Sequence, residues 1–181
     1  MGYSFVVAVD VDEVCANLID IWLGLYNRDY NDNLIFPNLV EWNIAKFVKP
    51  ECGEKIYEYL DDPSTYDNVK PSVGALEGVR EIRKMGHRVV FVTSSPIASS
   101  GRKFKWLKDN HFHVSLKDYI EMSDKSLLLA DFLIDDRYEN ASEFTGEGWL
   151  LTRPWNKRYA YDMRVNNWPE FTDIIIEESK Q

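Results

Sequence analysis

The sequence predicts an α/β fold: a Rossmann-like parallel sheet with helices on both faces and a small helical cap inserted after the first strand. Three observations carry this expectation. Residues 5–9, 89–92, 132–134 and 149–151 are short apolar runs without polar alternation, the pattern of strands buried on both faces. Stretches of helical periodicity separate them, as in a parallel sheet built from crossovers. Between the first and second runs lie residues 14–73, too long for a loop, so an insert is expected there over the strand ends.

The elements follow in order. After the strand at 5–9, a helix is expected from Val14 to Tyr30, with Leu18, Ile21, Trp22, Leu25 and Tyr26 on one face, and Asn31-Asp32-Asn33 breaks it. Residues 34–70 are irregular and punctuated by Pro37, Pro50, Gly53 and Pro63, with a short helix over 54–60. A helix over 74–85 ends at Gly86 and feeds the strand at 89–92. A basic helix spans 99–109, its charges read as a solvated face with Phe104, Trp106 and Leu107 partly buried. A short strand at 118–122, the strong strand at 132–134, a last strand at 149–151 and a closing helix over 171–179 complete the chain. Residues 1–13 and 74–181 are expected to form the core and 14–73 the cap.

Composition narrows the function. Of 181 residues, 45% are hydrophobic and 28% charged, an ordinary globular balance. Lys plus Arg number 21 against 30 Asp plus Glu, a net charge of −9, which disfavours nucleic-acid polymers and anionic membrane surfaces. Cys15 and Cys52 are too few for a disulfide framework and read as reduced thiols. No basic stretch precedes the first apolar run, and no run approaches the roughly 20 residues of a membrane span. The expected location is the cytoplasm.

Three strands end in chemistry-bearing residues: Asp10 and Asp12, Thr93 and Ser94, Asp135 and Asp136. Parallel neighbours would bring all six to one sheet edge, where α/β folds place their sites. Four carboxylates there repel one another. A hard cation resolves the repulsion, and Mg²⁺ suits a few carboxylates shared with substrate phosphate. Thr93 and Ser94 offer donors to phosphate oxygens, and Lys125 supplies a positive charge before the third strand. Asp10 and Asp12, two apart on an extended chain, point the same way. One could attack phosphorus while the other protonates the leaving oxygen and later deprotonates water.

These motifs resemble the haloacid dehalogenase superfamily. Val9-Asp10-Val11-Asp12-Glu13-Val14 is similar to its first motif, and Thr93, Lys125 and Asp135-Asp136 to the second, third and fourth, in order. Within it the chain resembles the 5′(3′)-deoxyribonucleotidases of bacteria and phages through residues 70–76, 92–96, 123–125 and 130–137, and residues 155–158 are similar to that family's His-Asn-Arg segment. The resemblance is thin over residues 27–68. It implies that Asp10 is the nucleophile and becomes an aspartyl phosphate. It implies that Asp12 is the general acid and base, its backbone carbonyl a metal ligand, that Asp136 is a further Mg²⁺ ligand supported by Asp135, and that Thr93, Ser94 and Lys125 hold phosphate. Substrate recognition falls to Leu18, Trp42, Tyr66 and Arg137. Two residues depart from the pattern. Glu13 stands where many members have Gly, an exchange that barely touches the chemistry. Leu18 stands where an aromatic residue is common, which affects base preference.

The implied activity is Mg²⁺-dependent dephosphorylation of deoxyribonucleoside monophosphates, at the 5′ and also the 3′ position. Another small phosphomonoester, such as a sugar phosphate, is the alternative, and phosphate release across a substrate panel separates the two. A receiver-type signalling domain would carry its acidic pair early and its acceptor Asp late, the reverse of this order. A non-catalytic nucleotide-binding protein has no reason to keep nucleophile, acid, lysine and metal ligands together. The expected partner is a small nucleoside monophosphate, and a homodimer stays open. Arg153, Trp155, Lys157 and Arg158, after the last strand, either close over substrate or decorate the surface.

Overall fold

The computed structural model describes residues 4–180; Met1 to Tyr3 and Gln181, assigned to the core by the sequence, lie outside the described residues. Six strands, β1 (Val6–Val9), β2 (Arg88–Thr93), β3 (Tyr119–Glu121), β4 (Phe132–Asp135), β5 (Glu147–Leu151) and β6 (Arg164–Val165), form one sheet in the order β3-β2-β1-β4-β5-β6. Every pairing is parallel. The chain starts in the middle, builds one half and then the other, so strand order reverses between β1 and β4, where α/β sheets open a crevice at their carboxyl ends. Register places the chemistry there. Val9 pairs with both Phe91 and Ile134, so Asp10, Thr93 and Asp135 emerge at the same edge.

The α-helices are α1 (Leu18–Tyr30), α2 (Ala75–Lys84), α3 (Arg102–Asp109), α4 (Tyr138–Ser142) and α5 (Trp168–Glu178). Val7, Val9, Phe91 and Ile134 point to one face and pack on residues of α2, α3 and α5, among them Val79, Ile82, Trp106 and Phe171. Ala8, Val90, Val92 and Leu133 point to the other, covered by Leu128 and by Phe144 just after α4. The period-2 alternation of side chains thus supplies two separate apolar layers from each strand.

Several expected elements have different bounds. The first helix begins at Leu18, because residues before it form bridges from Ala16 to Asp12 and to Pro71. It ends at Asn31, in the left-handed conformation, whose N–H donates to the Asn27 carbonyl. The expected short helix is a 3-10 helix, Gly53–Leu60. Among α-helices and strands, two were not anticipated: α4, five residues long, and β6, two residues, are too short to show a period.

The insert has its own apolar centre. Ile19, Trp22, Leu23 and Tyr26 of α1 pack with Leu39, Ile44 and Ile56. Trp155, far along the chain, joins that cluster. The two ends of the insert belong instead to the main core, through Val14, Ala16 and Val69. They are tied by the Asn17 N–H donating to the Lys70 carbonyl and the Ser72 N–H to the Cys15 carbonyl, at 2.9 and 2.7 Å. Among the described residues, no helix is long and apolar enough to cross a membrane.

Two glycines test this packing in opposite directions. A Cβ at Gly148 would overlap the Ala141 backbone carbonyl, whereas a Cβ at Gly24 in α1 meets nothing within 4 Å. Gly148→Ala should cost about 3 kcal/mol or more, since backbone cannot yield as a side chain does. Gly24→Ala should stabilise by about 0.5–1 kcal/mol through helix propensity. Thermal unfolding of both variants checks this; a Gly148→Ala melting temperature equal to the parent's contradicts the β5–α4 packing.

Candidate active site

The reversal point of the sheet carries a buried carboxylate cluster. Asp10, Asp135 and Asp136 each offer an oxygen within 4.8 Å of the others, and all three are buried. At an effective dielectric near 20, two carboxylates about 5 Å apart repel by roughly 3 kcal/mol. Lys125, itself only 3% exposed, is the counter-charge: Nζ donates to Asp10 Oδ1 and, at 2.6 Å, to Asp135 Oδ2. Burial disfavours its charge, but Asp10 and Asp135 outweigh that and hold the ammonium above its usual range.

One lysine does not balance three carboxylates. Burial, with Asp135 and Asp12 adding to it against Lys125, pushes Asp10 from 3.8 up to about 7. Burial and the charges of Asp135 and Asp10 push Asp136 well above the carboxylate range. Such a group of hard oxygens with surplus negative charge fits a divalent cation.

The oxygens differ in what they already hold. Both of Asp135 are engaged: Oδ1 accepts from the Arg137 N–H at 2.8 Å, and Oδ2 from Lys125 and from Asn140 Nδ2 at 3.1 Å. Asp136 accepts from Trp155 Nε1 at Oδ2, 3.1 Å, and its carbonyl from Asn156 Nδ2 at 2.8 Å. Asn156 is held in turn by Arg164. Among the described residues, Asp10 Oδ2 and Asp136 Oδ1 have no hydrogen-bond partner.

Asp12 is more open. Its Oδ2 meets Lys103 Nζ at 2.7 Å, and its Oδ1 accepts from the Tyr66 hydroxyl. Lys103 also donates to Thr93 Oγ1 at 2.9 Å and to the Ser94 carbonyl. Thr93 is buried at the end of β2, while Ser94 is exposed to the cavity with its hydroxyl 3.3 Å from that of Ser123.

Above these groups opens a cavity of about 300 Å³. Its floor is Asp10, Asp12, Thr93, Ser94, Lys125, Asp135 and Asp136, and its roof comes from the insert, with Leu18, Trp22, Trp42, Ile44 and Tyr57. Arg137 lies on the rim, its guanidinium 5.2 Å over the Trp42 ring. Trp42 is 47% exposed, so it is not part of the insert's packed centre.

Of the residues given catalytic, phosphate-binding, metal or recognition roles from sequence, all but Tyr66 line this cavity. Tyr66 sits below it, 8% exposed, with its ring edge-on to Trp106 and its hydroxyl on Asp12; that position does not suit a base-recognition residue. Lys103 corrects a second expectation. It is 4% exposed rather than on a solvated face. The signal was present: Lys103, Trp106 and Leu107 fall at i, i+3 and i+4, so the lysine is in phase with the buried stripe. Glu13 is also closer to the site than expected. It adopts φ 56°, lines the cavity, and its Oε1 accepts from the Ile19 N–H at 2.6 Å, satisfying a first-turn donor of α1. The cations after β5 divide: Arg153 clamps the Glu13 carbonyl through Nε at 3.0 Å, whereas Lys157 and Arg158 are exposed.

Burial here has a pH signature. Asp10 rises from 3.8 to about 7, and burial raises Glu13 from 4.5 to about 8. Folded carboxyls with raised values keep protons that the unfolded chain releases, so stability is lost as pH rises through that window. In chelator, the melting temperature should fall from about pH 5 to about pH 8, and Glu13→Gln should remove part of the slope. A melting temperature that is flat or rises over that range would contradict the burial of these groups.

Comparison with known proteins bears on this geometry. In curated sequences, the chain is 29% identical over 162 residues to a 5′(3′)-deoxyribonucleotidase of Clostridium acetobutylicum, covering 90% of this chain and 89% of that one. It is 26% identical over 172 residues to a 5′(3′)-deoxyribonucleotidase of Bacillus subtilis, covering 94% and 98%. Among solved structures it is similar to a haloacid dehalogenase-family hydrolase from Deinococcus radiodurans with bound phosphate and sodium, at TM-score 0.64 and 13% identity, over 98% of this chain and 97% of that one. That likeness establishes the fold. The profile of the family described as "5′ nucleotidase, deoxy (Pyrimidine), cytosolic type C protein" matches residues 4–181. Since that match takes in the carboxylate cluster, its lysine and the insert above them, the chain belongs to this nucleotidase family.

Proposed function

We propose that the protein is a Mg²⁺-dependent phosphomonoesterase that converts deoxyribonucleoside monophosphates, 5′ and also 3′, to nucleoside and phosphate through an aspartyl phosphate on Asp10. The observation that carries this reading is the free Asp10 Oδ2 at the floor of an aromatic-roofed cavity, beside a lysine with one N–H still unassigned. In the first step Asp10 Oδ2 bonds to phosphorus as the ester P–O bond breaks, and Asp12 gives its proton to the leaving oxygen. In the second, Asp12 takes a proton from a water that attacks the same phosphorus, and Asp10 leaves as carboxylate. The third N–H of Lys125, with Thr93 and Ser94, meets the phosphate oxygens. Asp10, Asp136 and the Asp12 carbonyl would hold Mg²⁺, with Asp135 in support, and the ion would offset charge on the phosphoryl oxygens.

The insert, residues 14–73, is read as a cap that supplies the base pocket. Two of its polar groups at the cavity are already used: Trp22 Nε1 donates to the Ile56 carbonyl at 2.7 Å and the Tyr57 hydroxyl to Asn43 Oδ1 at 3.0 Å. Flat aromatic and aliphatic walls suit a stacked base better than the hydroxyls of a sugar phosphate. Both cysteines are buried and free, which supports placing the protein in the reducing cytoplasm.

Two measurements test this reading. Asp10→Asn should lower phosphate release from deoxyribonucleoside monophosphates by about 10³-fold or more with the fold intact. Excess chelator should abolish release by the parent protein. Near-normal turnover in either case overturns the nucleophile or the metal respectively. For recognition, Trp42→Ala should lower kcat/KM for deoxyribonucleotides about tenfold or more, with little change for a small aryl phosphate that needs no base pocket. An unchanged ratio between the two substrates removes Trp42 from recognition.

A further inference from the structure

We infer that Lys103 is a positioning residue for Asp12, a strut that fixes the acid–base carboxylate against the phosphate-binding loop; this rests on the phosphatase reading above. An ammonium has three protons to donate and no acceptor. Lys103 Nζ donates to Thr93 Oγ1 at 2.9 Å and to the Ser94 carbonyl, and it forms an ion pair with Asp12 Oδ2 at 2.7 Å. It is 4% exposed and absent from the cavity lining, so it does not face a substrate. Lys125 is the contrast: it lines the cavity, where its proton not given to Asp10 or Asp135 can meet a phosphate oxygen.

Of the three groups that Lys103 holds, two belong to Thr93 at the end of β2 and to Ser94, the next residue. The third is a side chain, 32% exposed, that must meet a leaving oxygen at hydrogen-bond range. The strut therefore joins a strand end to the most exposed carboxylate of the site. Its bond to Thr93 fills an acceptor position on Oγ1 and leaves that hydroxyl's proton free for phosphate. Lys103 itself is fixed by packing, since Trp106 and Leu107 of the same helix are buried in the main core.

General acid help matters most when the leaving oxygen is a poor one, so loss of the strut should depend on the leaving group. The test is steady-state kinetics of Lys103→Met, Lys103→Arg and Asp12→Asn on alkyl phosphates and on p-nitrophenyl phosphate, with inhibition by inorganic phosphate as a binding readout. For Lys103→Met, kcat on the alkyl phosphates should fall about 30-fold or more, part of the roughly 10²–10⁴-fold that general acids supply. The loss on p-nitrophenyl phosphate should be about tenfold smaller, with KM and phosphate inhibition within about threefold of the parent. Lys103→Arg should recover part of the alkyl rate. Equal losses on both substrate classes overturn the inference. So does weakened phosphate inhibition with raised KM, which would make Lys103 a phosphate binder. Leaving-group dependence in Asp12→Asn but not in Lys103→Met overturns the inference alone; its absence from both overturns the acid–base reading of Asp12 and the inference with it. If Lys103→Met does not fold, Lys103→Gln, which keeps two donors, carries the same comparison.

Discussion

The pairing of Lys125 with Asp10 and Asp135 at the reversal of strand order is the constraint on which the rest of the site depends. Three buried carboxylates share one ammonium, and the imbalance is what gives the site its chemistry. Without Lys125 the cluster would have to take up further protons to remain buried. With it, one oxygen of Asp10 is paired and the other is left free, while the Asp136 carboxyl meets the neutral indole of Trp155. Parallel register makes this possible, since neighbouring strands place Asp10 and Asp135 side by side at the carboxyl edge of the sheet.

Around that centre the site has a second layer that fixes orientation. Asp135 is held by Arg137 and Asn140, Asp136 by Trp155 and Asn156, and Asp12 by Lys103 and Tyr66. Trp155 has a further consequence. Its indole donates to Asp136, yet its ring packs in the apolar centre of the insert and edge-on to Phe36 and Trp42. The carboxylate cluster and the roof of the cavity are therefore mechanically connected through one side chain. Glu13 makes a second connection, from the catalytic loop to the first turn of α1.

Legibility in the sequence followed chemistry and period. The four long strands and the helices α1, α2, α3 and α5 carry enough apolar residues in phase to be read directly, and the floor of the cavity lies at strand ends that any parallel sheet brings together. What escaped had no periodic or positional signal of its own. Tyr66 and Trp155 reach their partners across 54 and 19 residues through tertiary packing. The 3-10 turns of the insert have no apolar period to read, so its roof residues could be named only as aromatics of an unresolved pattern. Glu13 looked like a simple exchange for glycine because the use of its carboxylate, on the Ile19 N–H, depends on where α1 starts. Lys103 is the instructive case: it was in phase with Trp106 and Leu107, but a lysine in an otherwise basic helix is by default a surface charge.

The charge imbalance can be measured directly. Titrating the protein with Mg²⁺ by isothermal calorimetry near pH 7, in buffers of different ionisation enthalpy, reads both binding and the protons released with it. Burial and neighbouring carboxylates raise Asp10 to about 7 and hold Asp136 well above its ordinary range, so a cation binding there competes with protons. The expected result is saturable binding whose apparent enthalpy varies with buffer, corresponding to release of roughly one proton, and loss of that release in Asp136→Asn. Binding with no buffer dependence, or no binding at all, would contradict a site organised around surplus buried carboxylate.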